Sequence, residues 1–190
     1  EMFLDTAVTR PSIVSLAKHL GYVPSSWRAS KAIVDVTYPT DQGSTSFLPA
    51  RSVFTVRGTD SASLNFTNPT AVSINGFTAE NVEIYEGSYK TFTYIVDNSV
   101  STQKFIIPSK SIDTRLLKVR VQNSTSNTTG HLNKWELADN ILDITNESYA
   151  YWLQETTNGD YQLYFGDGIL GRKISDGNLI MIEYFETNGP

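Results

Sequence analysis

The chain contains no cysteine among its 190 residues, which excludes disulfide bonds, thiolate metal ligands and cysteine nucleophiles. Charge is scarce as well: Asp, Glu, Lys and Arg make up 18% of the residues, the net charge is −5, and no run of like charge exceeds two residues. A nucleic acid or an anionic membrane attracts a basic surface that displaces counterions from phosphate. We therefore expect no nucleic-acid partner and no membrane partner.

Long apolar runs are missing too, and no segment approaches the roughly 20 apolar residues of a membrane-spanning helix. The hydrophobic fraction of 39% lies below the globular average of about 45–50%, a figure that also counts Gly. Ser, Thr and Asn fill the difference, together with 10 Tyr and 9 Phe. β-branched and aromatic side chains fit a pleated surface, so the composition predicts one β-rich domain or two small ones.

The first part of the chain has the periodicity of a helix. Ile13, Leu16, Ala17 and Leu20 fall on one helical face. Pro11 and Ser12 are typical of a helix start, and Gly21 of a helix end. We predict a short helical segment within residues 1–29, and we expect the whole chain to be a fragment of a longer protein.

From residue 30 onward the apolar pattern has a period of two, which is typical of strands. The cleanest alternation is Leu117, Val119 and Val121 against Lys118 and Arg120, and it predicts one buried face. Gly, Pro, Asn and Asp separate the strands. The other strands predicted before residue 124 are Ala32–Tyr38, Ser52–Arg57, Ala62–Phe66, Val72–Asn75, two longer strands around Val82–Ile84 and Phe92–Val96, and Phe105–Ile107.

A polar stretch at residues 123–130 is predicted to be an exposed loop between two lobes. Beyond it, Tyr149–Glu155 and Tyr161–Phe165 flank Asn158-Gly159, which predicts a hairpin with a type I′ turn. The last strand, Leu179–Phe185, is apolar on both faces, which indicates either a sandwich interior or an interface. The predicted fold is mainly β (α+β): the N-terminal helical segment (1–29), followed by antiparallel β lobes at 30–124 and 125–190.

Candidates for catalysis are few. His19 and His131 are the two histidines, and neither lies in a nucleophile elbow or a zinc motif. Glu80, Glu83 and Glu86 cluster in sequence, and glycosidases use two carboxylates. Here the alternating strand pattern makes a solvated face the simpler interpretation. We predict no enzyme, no catalytic residue and no small-molecule substrate.

The segment 158–177 is rich in Gly and Asp, with Asp160 and Asp167 followed by Asp176-Gly177. Calcium prefers several oxygen ligands on a turn, but the segment lacks the EF-hand spacing. Tight turns are the simpler interpretation, because Gly allows positive φ and Asp caps turns. We predict no metal site and no cofactor, and leave open whether this segment binds calcium.

Aromatic residues offer a binding hypothesis. Trp135, Tyr149, Tyr151 and Trp152 could form a stacking platform for sugar rings or a partner protein. Aromatic side chains also make up the bulk of a β core, because each buries a large apolar area. The core interpretation is favoured.

Two stretches resemble a known family. The first runs from Val82 to Lys90, through Phe105–Pro108, to Ile112–Val121. The second comprises Tyr151–Glu155 and Tyr161–Lys173. Together they resemble the wedge proteins of T-even-type contractile bacteriophage tail baseplates, which are relatives of the baseplate-J-like family. The resemblance implies a structural subunit without catalytic residues.

The leading hypothesis from the resemblance is a late viral structural protein in the virion, at the baseplate of a contractile tail, assembled in the host cytoplasm. Its expected partners are itself, as a homodimer or ring, and other baseplate wedge proteins. The alternative is an extracellular carbohydrate-binding or adhesin module. That module would use Trp135, Tyr149 and Trp152, with calcium at Asp160 and Asp167. A hydrolase that depends on the carboxylates alone is a third hypothesis.

Overall fold

The structure is a computed structural model that describes residues 9–10, 12–14, 25–43, 45–57, 63–126, 132–138, 140–156 and 158–189. The described residues are mainly β, as predicted. Their strands are β1 (Lys31–Thr37), β2 (Phe47–Leu48), β3 (Val53–Arg57), β4 (Ser63–Thr67), β5 (Val72–Ser73), β6 (Thr78–Glu86), β7 (Ser88–Ile95), β8 (Phe105–Ile107), β9 (Ile112–Gln122), β10 (Asn133–Leu137), β11 (Ala150–Glu155), β12 (Tyr161–Phe165) and β13 (Leu179–Glu186).

The predicted N-terminal helix is represented by a short turn. Residues 12–14 are helical, and the Ile13 N–H donates to the Thr9 carbonyl at 3.1 Å. Most of its predicted face, Leu16, Ala17 and Leu20, lies outside the described residues. Residues 25–30 have no regular secondary structure, so the predicted helical segment 1–29 is correct only for this turn within the described part.

The chain divides into two compact units, each built from segments that are distant in sequence. Unit 1 comprises residues 1–25, 91–110 and 117–183, and unit 2 comprises residues 26–90, 111–116 and 184–190. This division differs from the predicted lobes 30–124 and 125–190. The physical reason is that β7, β9 and β13 each contribute residues to both units, so a boundary drawn at one point of the sequence does not separate them.

Unit 2 contains a four-stranded antiparallel sheet in the order β1-β6-β4-β3, with the small β2–β5 pair. Its core is aliphatic, because the alternating strands place Leu48, Ile74, Ala79, Val82 and Ile84 on inner faces. Partly buried side chains on neighbouring strands pack against this cluster, among them Val34, Phe54 and Phe66.

The larger sheet has seven strands in the order β7-β13-β9-β10-β11-β12-β8. The prediction of antiparallel lobes is correct except at β10 and β11, which are parallel, with Glu136 opposite Ala150 and Leu137 opposite Tyr151. Parallel neighbours need a long crossover connection. Residues 138–149, which include a 3-10 turn at Ile141–Asp143, provide that connection.

The predicted hairpin is present, and its turn type is corrected. β11 and β12 pair antiparallel from Tyr151 opposite Phe165 to Glu155 opposite Tyr161. Among the described residues of the loop, Gly159 has positive φ, at 83°. A type I′ turn needs positive φ at both central residues. The hydrogen bonds from Gly159 N to Thr156 O and from Thr156 N to Asp160 O instead describe a longer hairpin loop with a glycine in the left-handed region.

The final strand is a core strand. β13 lies between β7 and β9, and Ile180, Ile182 and Phe185 are 0% exposed. Of the two interpretations of its doubly apolar pattern, a sandwich interior or an interface, the burial of these side chains within the chain agrees with an interior position.

Candidate interaction surface

The three clustered carboxylates do not form an acid pair. Glu80 and Glu83 are exposed, whereas Glu86 is buried. Glu83 accepts hydrogen bonds from Lys31 Nζ at 2.6 Å and from the Tyr85 hydroxyl at 3.1 Å, and these bonds, Lys31 first, lower the pKa of Glu83. Residues an odd number of positions apart on a strand face opposite sides. Glu83 and Glu86 therefore cannot act together across one bond.

Glu86 instead anchors the end of the described chain. Its Oε2 accepts a hydrogen bond from the Thr187 hydroxyl at 2.6 Å and another from the Asn188 backbone N–H at 3.2 Å. Its Oε1 accepts from Asn188 Nδ2 at 3.2 Å. A buried carboxylate requires such donors, so the geometry gives Glu86 a structural role within unit 2.

Two further buried carboxylates are each held by an arginine. In unit 1, Arg10 Nε and Nη2 donate to the two oxygens of Glu155, both at 2.8 Å. In unit 2, Arg115 Nε and Nη2 donate to Asp113 at 2.9 and 2.5 Å, and Ala29 N donates to the same carboxylate at 3.0 Å. Burial acts to raise the pKa of Asp113, but these hydrogen bonds outweigh it and lower the pKa.

Sequence reasoning did not identify either of these arginine–carboxylate pairs. Arg10 and Glu155 lie 145 positions apart, so no local motif marks them. The spacing of Asp113 and Arg115 is visible in sequence, but it does not show that the Asp113 side chain is fully buried. The bidentate pair of Arg10 with Glu155 joins segments that are distant in sequence, whereas Arg115 neutralises a carboxylate on its own strand.

The Gly- and Asp-rich segment forms turns. Asp167 Oδ1 accepts from the N–H groups of Ile169 and Leu170 at 2.8 and 2.9 Å, and these backbone bonds lower the pKa of Asp167. Asp176 Oδ1 accepts from Asn98 N at 2.8 Å. A Cβ on Gly166 would lie 2.3 Å from the carbonyl of Gly171, so close backbone packing requires glycine there. Within the described ranges, no group of three His, Asp or Glu side chains is arranged to hold a metal ion.

The aromatic residues proposed as a platform belong largely to the core of unit 1. Trp135 is 4% exposed, and its ring makes edge-to-face contacts with Tyr149 and Phe165 at centroid distances of 5.5 and 5.1 Å. Phe165 in turn contacts Phe105 at 5.6 Å. The core interpretation is thus confirmed for Trp135, and Trp135, Tyr149 and Trp152 do not present one exposed face for a sugar ring.

Tyr94 extends this aromatic cluster to the edges of the seven-stranded sheet. Its ring contacts Phe105 at 5.5 Å. Its hydroxyl donates to the Ile106 carbonyl at 2.6 Å and accepts from the Ile106 N–H at 3.2 Å. Because β7 and β8 are the two edge strands, one side chain provides the backbone of β8 with partners that a neighbouring strand would otherwise supply.

The three most exposed apolar residues of unit 1, among the residues that the structure describes, lie on two adjoining loops. Leu142 and Ile141, on the 3-10 turn, are 87% and 59% exposed, and Ile169, on the glycine-rich turn, is 83% exposed. The two loops are joined by hydrogen bonds from Gly171 N to Thr145 O at 3.1 Å and from Arg172 N to Ser148 O at 2.9 Å. We call Ile141, Leu142 and Ile169 the apolar loop surface.

A cavity of about 410 Å³ lies beside the first of these loops, and its lining includes Lys134, Glu136, Leu137, Asn140 and Tyr149. Apolar anchors bordered by polar and charged groups are typical of protein interaction surfaces. The sequence signal for this surface is weak: apolar residues between turn-forming residues, such as Ile169 and Leu170 between Gly168 and Gly171.

Within the described residues, no helix is long and apolar enough to cross a membrane.

Neither His19 nor His131 can be placed, because both lie outside the described residues.

No family model matches the chain. The chain is similar to a curated protein, the baseplate wedge protein gp6 of Enterobacteria phage T4, with 24% identity over 209 residues. The match covers 100% of this chain and 30% of that protein. The chain therefore spans about a third of the length of this relative, and the similarity indicates a distant relationship to a phage baseplate protein.

Proposed function

We propose that this chain is part of a structural subunit of a phage tail baseplate wedge, and that it acts by self-association and by contacts with other baseplate proteins. One observation carries the proposal: the similarity to a baseplate wedge protein extends over 100% of the chain. The proposal places the protein in the virion, at the baseplate of a contractile tail, after assembly in the host cytoplasm.

The proposal also holds that the chain is not an enzyme. Its support is the use of the buried acidic groups. Glu86, Asp113 and Glu155 each accept hydrogen bonds from groups within the chain. A general acid or base needs a pKa near the working pH, whereas the hydrogen bonds of Asp113 lower its pKa. Such groups suit a scaffold better than proton transfer.

The apolar loop surface supports a role in assembly. Burying a Leu or Ile side chain stabilises a protein or a complex by about 1.5–3 kcal/mol. Leu142 and Ile169 are more than four-fifths exposed, so most of this stabilisation is absent in the isolated chain. The loops that carry them are held by backbone hydrogen bonds, and the Leu142 N–H donates to Asn140 Oδ1 at 3.1 Å. A partner would therefore meet a preorganised surface, which lowers the entropic cost of binding.

The location is tested by immunogold electron microscopy with antibodies raised against the purified chain. We expect gold particles at the distal end of contractile tails in phage particles that carry the gene. Particles of a phage without the gene are the matched control and should remain unlabelled. Abundant chain in infected cells, with no label on finished particles, would contradict a structural role in the virion.

A further inference from the structure

Among the residues that the structure describes, the first strand of unit 2 is an open edge of its sheet. β1 is at the end of the sheet order β1-β6-β4-β3, it has seven residues and it contains no proline. Its outer face carries Lys31, Ile33 and Asp35, all exposed, and Ile33 is 60% exposed. A strand edge of this length presents unpaired backbone groups that can form a ladder with another strand.

The hydrogen bond from Glu86 N to Ser30 O, at 2.8 Å, fixes which residues face that edge. In an antiparallel pair, alternate residues exchange both backbone bonds with their neighbour. Starting from Ser30 opposite Glu86, these residues are Ala32, opposite Ile84, and Val34, opposite Val82. The N–H and C=O groups of Lys31, Ile33 and Asp35 therefore point away from β6, towards the open edge.

We propose that β1 pairs antiparallel with β1 of a second copy of this chain, about a two-fold axis through Ile33. This inference rests on the proposed function, because it assigns a place to the self-association. In this register the two Ile33 residues lie opposite each other, and Lys31 of each copy lies opposite Asp35 of the other. The three residues whose backbone groups face the edge meet the same three residues of the second copy, so the ladder forms without a shift.

Charge selects this register over its neighbours. A two-fold pairing centred on Ala32 would place Lys31 opposite Ile33, and one centred on Val34 would place Ile33 opposite Asp35. Both of these registers would place the aliphatic side chain of Ile33 opposite a charged residue. Opposite charges directly across an antiparallel pair are stabilising, and the register centred on Ile33 provides two such pairs per dimer, one on each side of the axis.

The other edge strand of the same sheet offers no such match. β3 has the sequence VFTVR, in which Arg57 is the one charged residue, so no two-fold pairing of β3 with itself gives Arg57 an acidic neighbour within the strand. The charge of Lys31 disfavours pairing of β1 with unrelated strands. In the proposed register the same charge lies opposite Asp35 of the second copy.

Existing contacts of these side chains are compatible with the pairing. Lys31 Nζ donates to Glu83 Oε1 at 2.6 Å, and an ammonium group has three donors. Asp35 Oδ1 accepts from Asn81 N at 2.8 Å, and a carboxylate has several acceptor positions. Each group can keep its partner within the chain and also face the second copy.

A cysteine cross-link tests the register directly, because the chain has no cysteine. Opposite residues that exchange both hydrogen bonds have Cα atoms about 5.5 Å apart, within the usual range for a disulfide. We expect Ile33→Cys to form a disulfide-linked dimer under mild oxidation. Thr55→Cys, exposed in the middle of β3, is the matched control and should stay monomeric on a non-reducing gel. Equal cross-linking of both variants would overturn the proposal.

Charge inversion gives a second test that does not depend on disulfide chemistry. Lys31→Glu makes both edge charges negative and Asp35→Lys makes both positive, so each variant alone should dimerise about tenfold more weakly or worse in sedimentation. Mixing the two variants should restore dimers, since each then meets its opposite. If each variant alone dimerises as strongly as the wild-type chain, β1 is not the interface, although the chain still self-associates. A wild-type chain that is monomeric at high concentration would contradict the self-association itself.

Discussion

β13 and the loops that carry Leu142 and Ile169 both contain large apolar residues, yet these residues differ completely in exposure. Ile180 and Ile182 in β13 are 0% exposed, whereas Leu142 and Ile169 are 87% and 83% exposed. The strand has hydrogen-bonded neighbours on both sides, and other parts of the chain cover its side chains. The loops turn sharply and satisfy their backbone groups locally, which leaves their side chains in water.

The difference teaches how apolar residues in a sequence should be interpreted when a role in assembly is proposed. A long alternating run that is apolar on both faces belongs to the interior, because only a central strand can cover both faces. Single apolar residues between turn-forming residues contribute little to the core. They are therefore the better candidates for contacts with a partner, and substitutions at Phe185 and at Leu142 with Ile169 test this distinction.

The largest expected effect is on Phe185, which is 0% exposed and makes edge-to-face contacts with Tyr85 and Tyr89 at 6.2 and 5.9 Å. Phe185→Ala should lower the free energy of unfolding by about 3–5 kcal/mol, because it removes a large buried side chain and leaves a cavity. Chemical denaturation followed by circular dichroism measures the change. The matched control, Leu142→Ala, should change stability by less than about 0.5 kcal/mol, and equal losses in the two variants would refute the comparison.

Periodicity predicted many of the strands because each local pattern records burial on one face. β8 and β12 match the predicted Phe105–Ile107 and Tyr161–Phe165 at both ends. The glycine-rich turns also follow from local chemistry, since the Asp167 cap involves residues only two and three positions away. Where the stabilising contacts join residues that are close in sequence, the local sequence was sufficient to predict the structure.

The failures concern contacts between distant segments. β10 was not predicted, and Trp135, which it contains, packs on Phe165 from another strand. The parallel pairing of β10 with β11 depends on the path of the crossover. The exposure of Leu142 and Ile169 depends on which loops adjoin. None of these is encoded in a local pattern, because strand pairing is decided by the whole sheet.

An intermediate effect is expected where a charge is buried. Glu155 has a side chain that is 2% exposed and pairs with Arg10. Arg10→Ala should lower the free energy of unfolding by about 3 kcal/mol, because it leaves a buried carboxylate without its cation. In the control, Lys134→Ala removes the equivalent pair with Glu136 at the surface, where both side chains are about 70% exposed, and should cost no more than about 0.5 kcal/mol. Similar losses in urea denaturation would show that burial does not distinguish the two pairs.

The smallest effect on stability, and the largest on assembly, is expected at the apolar loop surface. The double variant Leu142→Ser/Ile169→Ser should melt within a few degrees of the wild-type chain, since neither side chain packs in the core. If the proposed function holds, its affinity for other baseplate proteins should fall by about tenfold or more, because two anchors no longer lose water on binding. Val100→Ser, 47% exposed in a different loop, is the control for a general loss of surface hydrophobicity and should bind normally. If the double variant also binds normally in calorimetry, the exposed loops are not the contact, and apolar exposure on short turns would lose its value as a guide to partners.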